Sequence, residues 1–212
     1  MLGINLPLPS EEQSVIVSTL LSNSNVLVNA VAGSGKTTTV GFIGQACPEA
    51  NILLLTYNRK LKQETKTRLK AYKISNIQVH NYHSFCFNYW DVLGSTDQII
   101  HDVLDLDSES NPIFSYDLII IDEAQDMTRL YYLLVAHIIK NSKFVPKFCI
   151  LGDPNQTIYD FNGADSRYLT MAPNLFNWNG LPWVKCTLST SYRLTPRLTD
   201  FVNNVVLQQS SC

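Results

Sequence analysis

The chain has 212 residues, of which 45% are hydrophobic and 16% charged, with a formal net charge of −2. That balance allows one large domain or two small ones with a real core, and it excludes a generally basic nucleic-acid coat. No apolar stretch approaches the ~20 residues of a membrane span, and the segment Met1 to Pro7 lacks the basic and long apolar parts of a secretory signal. The expectation is an intracellular protein of the nucleus or cytoplasm. Its five cysteines, Cys47, Cys86, Cys149, Cys186 and Cys212, are scattered and never form a CxxC pair. They read as free thiols, with neither a disulfide framework nor a structural zinc site.

In chain order, Ser10-Glu-Glu-Gln13 is a capping box that opens a helix through about Leu21. Asn25 to Asn29 reads as the first strand. A glycine-rich loop and a helix to about Ala46 follow, ended by Pro48. Ile52 to Thr56 is the second strand, and a basic helix starts at about Lys60. Ile77 to His80 is a short strand, and Tyr82 to Trp90 is aromatic-rich and helical. Residues 91–114 have weak periodicity, several acids and Pro112, so they read as a loop within an insertion at about 86–115. Leu118 to Ile121 is a strand introduced by Asp117, and Thr128 to Lys140 is a helix. Phe148 to Leu151 is a strand ending at Gly152-Asp153-Pro154. Val184 to Leu188 is the last strand, and Pro196 to Val206 the last helix. Alternating strands and helices predict an α/β fold with a parallel sheet in one domain.

The most informative segment is 118–126, four aliphatics running into Asp122-Glu-Ala-Gln-Asp126. The aliphatics suit a strand buried on both faces, which leaves the acids at its carboxyl end, where open α/β sheets bind ligands. Carboxylates at a dry strand end need a cation, and a magnesium ion carrying a nucleotide is the expected one. Upstream, Ala30-Val-Ala-Gly33-Ser-Gly35-Lys36-Thr37 lies between a strand and a helix, as a P-loop must. Residues Ala32, Gly33, Ser34, Gly35, Lys36, Thr37 and Thr38 are the candidate phosphate cradle, although Ala30 stands where the general pattern has glycine. In P-loop enzymes the Lys meets the β- and γ-phosphates, and the Thr and the strand-end Asp hold the metal. That assigns Lys36, and Thr37 with Asp122. Glu123 reads either as the base for the attacking water or as an acid favoured at a helix N-terminus. Arg59, Lys62, Lys66, Lys70 and Lys73 recur every three or four residues, giving a helix side that is a solvated face or a track for a phosphate backbone.

Four motifs in order, Gly33 to Thr37, Asp122 to Asp126, Gly152-Asp-Pro-Asn-Gln156 through Ala164, and Thr190-Ser-Tyr-Arg193, resemble the first RecA-like domain of UvrD/Rep-type superfamily 1 DNA helicases. The wording of Asn29 to Thr37 and Leu55 to Lys60 is similar to the F-box DNA helicase branch and its viral relatives. The resemblance covers about residues 9–205. It implies a RecA-like P-loop NTPase that couples Mg-ATP hydrolysis to translocation on single-stranded DNA and to unwinding, in repair or recombination. It implies that Gln13 reads adenine, where its capping role competes. It also implies that Gln156 senses the γ-phosphate, Tyr192 stacks on the base and Arg193 meets the γ-phosphate. On the DNA side it implies contacts from Thr56, Tyr57, Asn58, His83, Ser84, Tyr159 and Phe161. Asn81 replaces the usual Thr of the His-Ser motif, and Asn162 takes a position often held by Arg.

The expected departures are a short insertion and no second RecA-like domain before Cys212, so a separate C-terminal half is the expected partner and the chain alone is expected to hydrolyse ATP weakly. Two rivals remain: a non-catalytic ATP- and DNA-binding module derived from a helicase, and another P-loop enzyme such as a nucleotide kinase.

Overall fold

The computed structural model describes residues 5–90, 92, 94, 96–106, 112–156 and 163–193. Six strands, β1 (Asn25–Ala30), β2 (Ile52–Thr56), β3 (Ile77–Asn81), β4 (Leu118–Ile121), β5 (Lys147–Gly152) and β6 (Trp183–Leu188), form one sheet in the order β3-β2-β4-β5-β1-β6. Every pairing is parallel, with Leu55 opposite Ile121, Ile121 opposite Ile150, and Asn29 opposite Gly152. The helices are α1 (Glu11–Leu21), α2 (Lys36–Ala46), α3 (Arg59–Ala71), α4 (Tyr82–Trp90), α5 (Gln98–Leu104), α6 (Arg129–Lys140), α7 (Arg167–Thr170) and α8 (Ala172–Leu175).

The strands are apolar on both faces because each face is covered. Leu53, Leu55, Ile119, Ile121, Phe148 and Ile150 enter one apolar layer with residues of α4, α5 and α6. Their neighbours Ile52, Leu54, Leu118, Ile120, Cys149 and Leu151 enter the other, with Ile16, Val40, Ile43 and Leu69 of α1, α2 and α3. At ~1.5–3 kcal/mol for each large aliphatic removed from water, these two layers are the main support of the sheet.

The alternating elements fall where the sequence pattern puts them, with one correction. Within the stretch read as a loop, Gln98–Leu104 is helical, and Ile99, Ile100 and Val103 are fully buried beneath it. Three apolar residues across two turns are enough to dock a short helix, but too few to raise a periodic signal among the surrounding acids. The short helices α7 and α8 were also absent from the reading. The expected helix from Pro196 to Val206 lies outside the described residues.

Strand order positions the site. From β1 the chain crosses to β2 on one side, and from the neighbouring β5 it passes to β6 on the other, so the connections of these two strands run in opposite directions. Such a reversal leaves a crevice at the carboxyl edge of a parallel sheet. The loops after β1, β5 and β4 border it in that spatial order.

Candidate functional site

A cleft of about 590 Å³ opens at that edge. It is lined by every residue from Ala32 to Thr38, together with Gln13, Asp122, Glu123, Gln156, Tyr192 and Arg193. The loop after β1 is shaped by Gly33 (φ 74°) and Gly35 (φ 86°), a left-handed backbone that side-chain-bearing residues adopt at a cost. A Cβ at Gly33 would fall 2.5 Å from the Cβ of Arg193, so the close approach also requires glycine there. Gly35 caps α2 with no side-chain bond, which leaves the first N–H groups and the positive end of α2 for an anion.

The acids face this cradle. Lys36 Nζ lies 3.3 Å from Glu123 Oε1. Glu123 itself is a left-handed non-glycine residue (φ 54°), backbone strain of the kind that collects at functional sites. Its other oxygen accepts from Gln125 Nε2 at 2.9 Å, and Gln125 Oε1 accepts from the Asp153 N–H at 3.1 Å. The Asp153 carboxylate accepts in turn from the Asn155 N–H and from Gln156 Nε2. A hydrogen-bonded chain therefore runs from Glu123 through Gln125 and Asp153 to Gln156, joining the ends of β4 and β5. Gly152 makes it possible: a Cβ there would overlap Gln125 Oε1 and sit 2.9 Å from Leu169 Cδ2.

Burial, then the Glu123 charge, pushes the Asp122 carboxyl up to about 7, against the pull of Lys36 and the Glu123 N–H. The same two causes push Asp126 up to about 6, and its Oδ1 is buried with no hydrogen-bond partner among the described residues. Three carboxylates and one lysine leave a local excess of negative charge that a further cation would relieve. Among the described residues no group of three or more His, Cys, Asp or Glu is arranged to hold a metal by itself. Magnesium takes one or two protein oxygens and completes its shell with phosphate and water. Thr37 and Asp122 are the residues that would hold it.

Gln13 carries both of the roles that compete for it. Its Oε1 accepts from the Ser10 N–H at 3.0 Å while Ser10 Oγ accepts from the Gln13 N–H, which completes the capping box. Its Nε2 donates to Thr39 Oγ1 at 3.2 Å. A carboxamide has two N–H donors and two acceptor lone pairs, so one of each remains for a ligand in the cleft. Tyr192 is 66% exposed, and Arg193 is exposed beside the loop after β1.

The residues assigned to DNA are differently placed. Thr56 is fully buried, and its hydroxyl lies 3.4 Å from the carbonyl oxygens of both Asn58 and His80, so it holds the ends of β2 and β3 together and presents nothing to a polymer. Asn58 caps α3 by accepting from the Leu61 N–H. Ser84 and Asn81 cap α4 reciprocally, each accepting from the other's backbone N–H, and the Ser84 hydroxyl donates to the Asn81 carbonyl. The Asn81 that departs from the family wording is thus an N-cap residue. His83 Nε2 meets Asp97 Oδ1 at 2.8 Å and stands edge-on to Tyr131, as does half-buried Tyr57. Tyr159 and Phe161 lie outside the described residues.

The basic helix divides between the two regions. Leu61, Glu64, Thr65 and Arg68 of α3 line the cleft, contacts that the sequence reading missed. The spacing of Leu61, Thr65 and Arg68 by four and three carries that signal, because it marks a face distinct from the lysine side. Lys62 and Lys66 instead lie near His80, whose imidazole is driven down to about 4 by burial and then by those two charges.

The profile of the AAA domain family matches residues 13–162. The chain belongs to that family. Its relatives include the RecBCD enzyme subunit RecB of Chlamydia pneumoniae, 28% identical over 46% of this chain and 9% of that protein. A probable DNA helicase II homolog of Mycoplasma capricolum is 30% identical over 43% of this chain and 12% of its own. The fold matches Pif1 from Bacteroides, 17% identical with TM-scores of 0.57 unliganded and 0.55 in complex with ADP-AlF4 or bound to ssDNA, over 97% of this chain and 47% of that one. The chain therefore carries an AAA domain on a parallel α/β fold shared with Pif1. It spans about a tenth of the curated relatives and under half of the solved chains. No described helix is long and apolar enough to cross a membrane.

Proposed function

We propose that this domain is the ATP-binding motor half of a UvrD-like DNA helicase, which couples Mg-ATP hydrolysis to movement along single-stranded DNA and to duplex unwinding in repair or recombination. The observation that carries the reading is the juxtaposition of Lys36 with Glu123 at 3.3 Å, beside Asp122 and at the positive end of α2. In this proposal Lys36 and the N–H groups from Gly33 to Thr38 bind the phosphates, and Gln13, Tyr192 and the N-terminal segment bind the base. When bound with Thr37 and Asp122, magnesium supplies charge neutralisation at the β- and γ-phosphate oxygens. Glu123, oriented by Gln125, takes the proton of the attacking water, and Arg193 stabilises charge on the transferred phosphoryl group. Gln156 reports the γ-phosphate through Asp153 and Gln125, whose hydrogen bonds support that role.

For the polymer, Tyr57 and His83 are the proposed contacts, flanked by the Lys62 and Lys66 side of α3. Tyr159 and Phe161, which lie outside the described residues, stay in the proposal from sequence alone. A second RecA-like half, elsewhere in the full protein or on a separate chain, would close the cleft and add the opposing arginine. Losing such an arginine costs ~10³–10⁵ in rate, so this half by itself should turn over slowly. A helicase motor should show ATP turnover that rises on adding oligo-dT and disappears in Glu123→Gln. A rise with a nucleoside acceptor and none with oligo-dT would replace this reading by a kinase, and Mg-ATP binding without turnover by a non-catalytic module.

A further inference from the structure

We infer that Glu12 is a positioning residue for the nucleotide cleft, latching the segment that carries Tyr192 and Arg193 to the helix that carries Gln13. The inference rests on the nucleotide reading of the cleft.

The Ser189 N–H donates to both oxygens of the Glu12 carboxylate, at 3.2 and 3.0 Å, and the Ser189 hydroxyl donates to Oε1 at 2.6 Å. A carboxylate that takes an N–H and an O–H from one residue makes a charge-assisted clamp, stronger than neutral hydrogen bonds. Glu12 makes no ion pair among the described residues, so Ser189 is its attachment. Past the clamp, the Ser191 hydroxyl donates to the Ala32 carbonyl at 2.7 Å and the Tyr192 N–H to the Gly33 carbonyl at 3.0 Å. Residues 189–193 thus form a strap with one end on α1 and the other on the phosphate cradle.

The far side of the latch is rigid. Ile16 and Leu20 anchor α1 in the core, and the capping box fixes its first turn. Gln13, the next residue after Glu12, lines the cleft and donates to Thr39 on α2. One helical turn therefore holds a group in the base end of the cleft and the carboxylate that sets where the strap, and Arg193 with it, lies. Glu12 touches no ligand in this scheme; it acts through the strap.

The test is a double-mutant cycle on Mg-ATP affinity, read by calorimetry on the whole chain. Glu12→Ala should weaken binding by about 3- to 10-fold, and Glu12→Asp should do the same, since it keeps the charge but loses the reach. Glu12→Gln, which retains one acceptor oxygen but loses the charge, should recover only part of the affinity, and Ser189→Ala should reproduce Glu12→Ala from the other side. Arg193→Ala should weaken binding less in the Glu12→Ala background than in the parent. Equal effects of Arg193→Ala in both backgrounds, or unchanged affinity in Glu12→Ala and Ser189→Ala, would overturn the latch while leaving the nucleotide reading intact. A parent that does not bind Mg-ATP would overturn the nucleotide reading and the latch with it.

Discussion

The proposed nucleotide cleft and the proposed polymer-facing edge lie on the same rim of one sheet, yet their polar groups are in opposite conditions. Among the described residues, groups in the cleft keep unused capacity: Gln13 retains a donor and an acceptor, and α2 begins with N–H groups that no side chain caps, while Asp126 Oδ1 nearby is buried with no hydrogen-bond partner. At the edge, Thr56, Asn58 and Ser84 are already engaged with the backbone of their own loops. The difference teaches that a motif residue can belong to a binding region by building it. At this edge Tyr57 and His83 are the proposed polymer contacts.

Substitutions can break this contrast, and the largest effect should come from Glu123→Gln. It removes the base and one partner of Lys36. Any DNA-stimulated turnover should fall by ~10²–10⁴, with Mg-ATP affinity kept or improved. Equal loss of binding and turnover would instead make Glu123 a structural acid. Next is Gln125→Ala, which frees Glu123 and leaves the buried Asp153 N–H without its acceptor. A loss of ~1–3 kcal/mol in denaturant-measured stability should accompany the fall in turnover.

His80 sharpens the edge side through pH. Its folded-state value, about 4, lies below the ordinary 6.5, so the unfolded chain takes up the proton first. The His80 contribution is then full above pH 6.5 and is lost as pH falls towards 4, by roughly 2 kcal/mol once partial exposure is allowed for. The raised Asp122 and Asp126 carboxyls act in the opposite sense over the same window, so the test is the difference: between pH 6.5 and 4 the parent should lose about that much more stability than His80→Gln in urea unfolding. The smallest expected effect is that of Thr56→Val, about 1 kcal/mol of stability with no change in oligo-dT affinity, whereas Tyr57→Ala should weaken that affinity by ~1–3 kcal/mol. Weakened oligo-dT binding by folded Thr56→Val would erase the contrast.

Much of this was legible from residues because the chemistry is local. The aliphatic runs at 52–56 and 118–121 signal doubly covered strands, and Gly33, Gly35 and Lys36 carry the phosphate cradle within a few positions. What stayed hidden depends on contacts across space. Gln125 was visible as part of a motif, but its bridge to Asp153 appears only when β4 and β5 pair. Arg68 looked like one charge in a basic helix until α3 packed beside α2 and turned it to the cleft. Conversely, the capping bonds of Ser84 and Asn58 stayed hidden because capping and recognition use the same residue types. The helix at Gln98–Leu104 escaped because its stability comes from docking Ile99, Ile100 and Val103, not from its own propensity.

The central claim, that the rim between β1 and β4 is a nucleotide site built on Lys36 and its facing acids, is tested most directly by titrating Mg-ATP into the parent and into Lys36→Ala by calorimetry. The account predicts a saturable one-to-one isotherm for the parent that weakens by at least ~10-fold, about 1.4 kcal/mol, in the variant. Indistinguishable isotherms from parent and variant would contradict it.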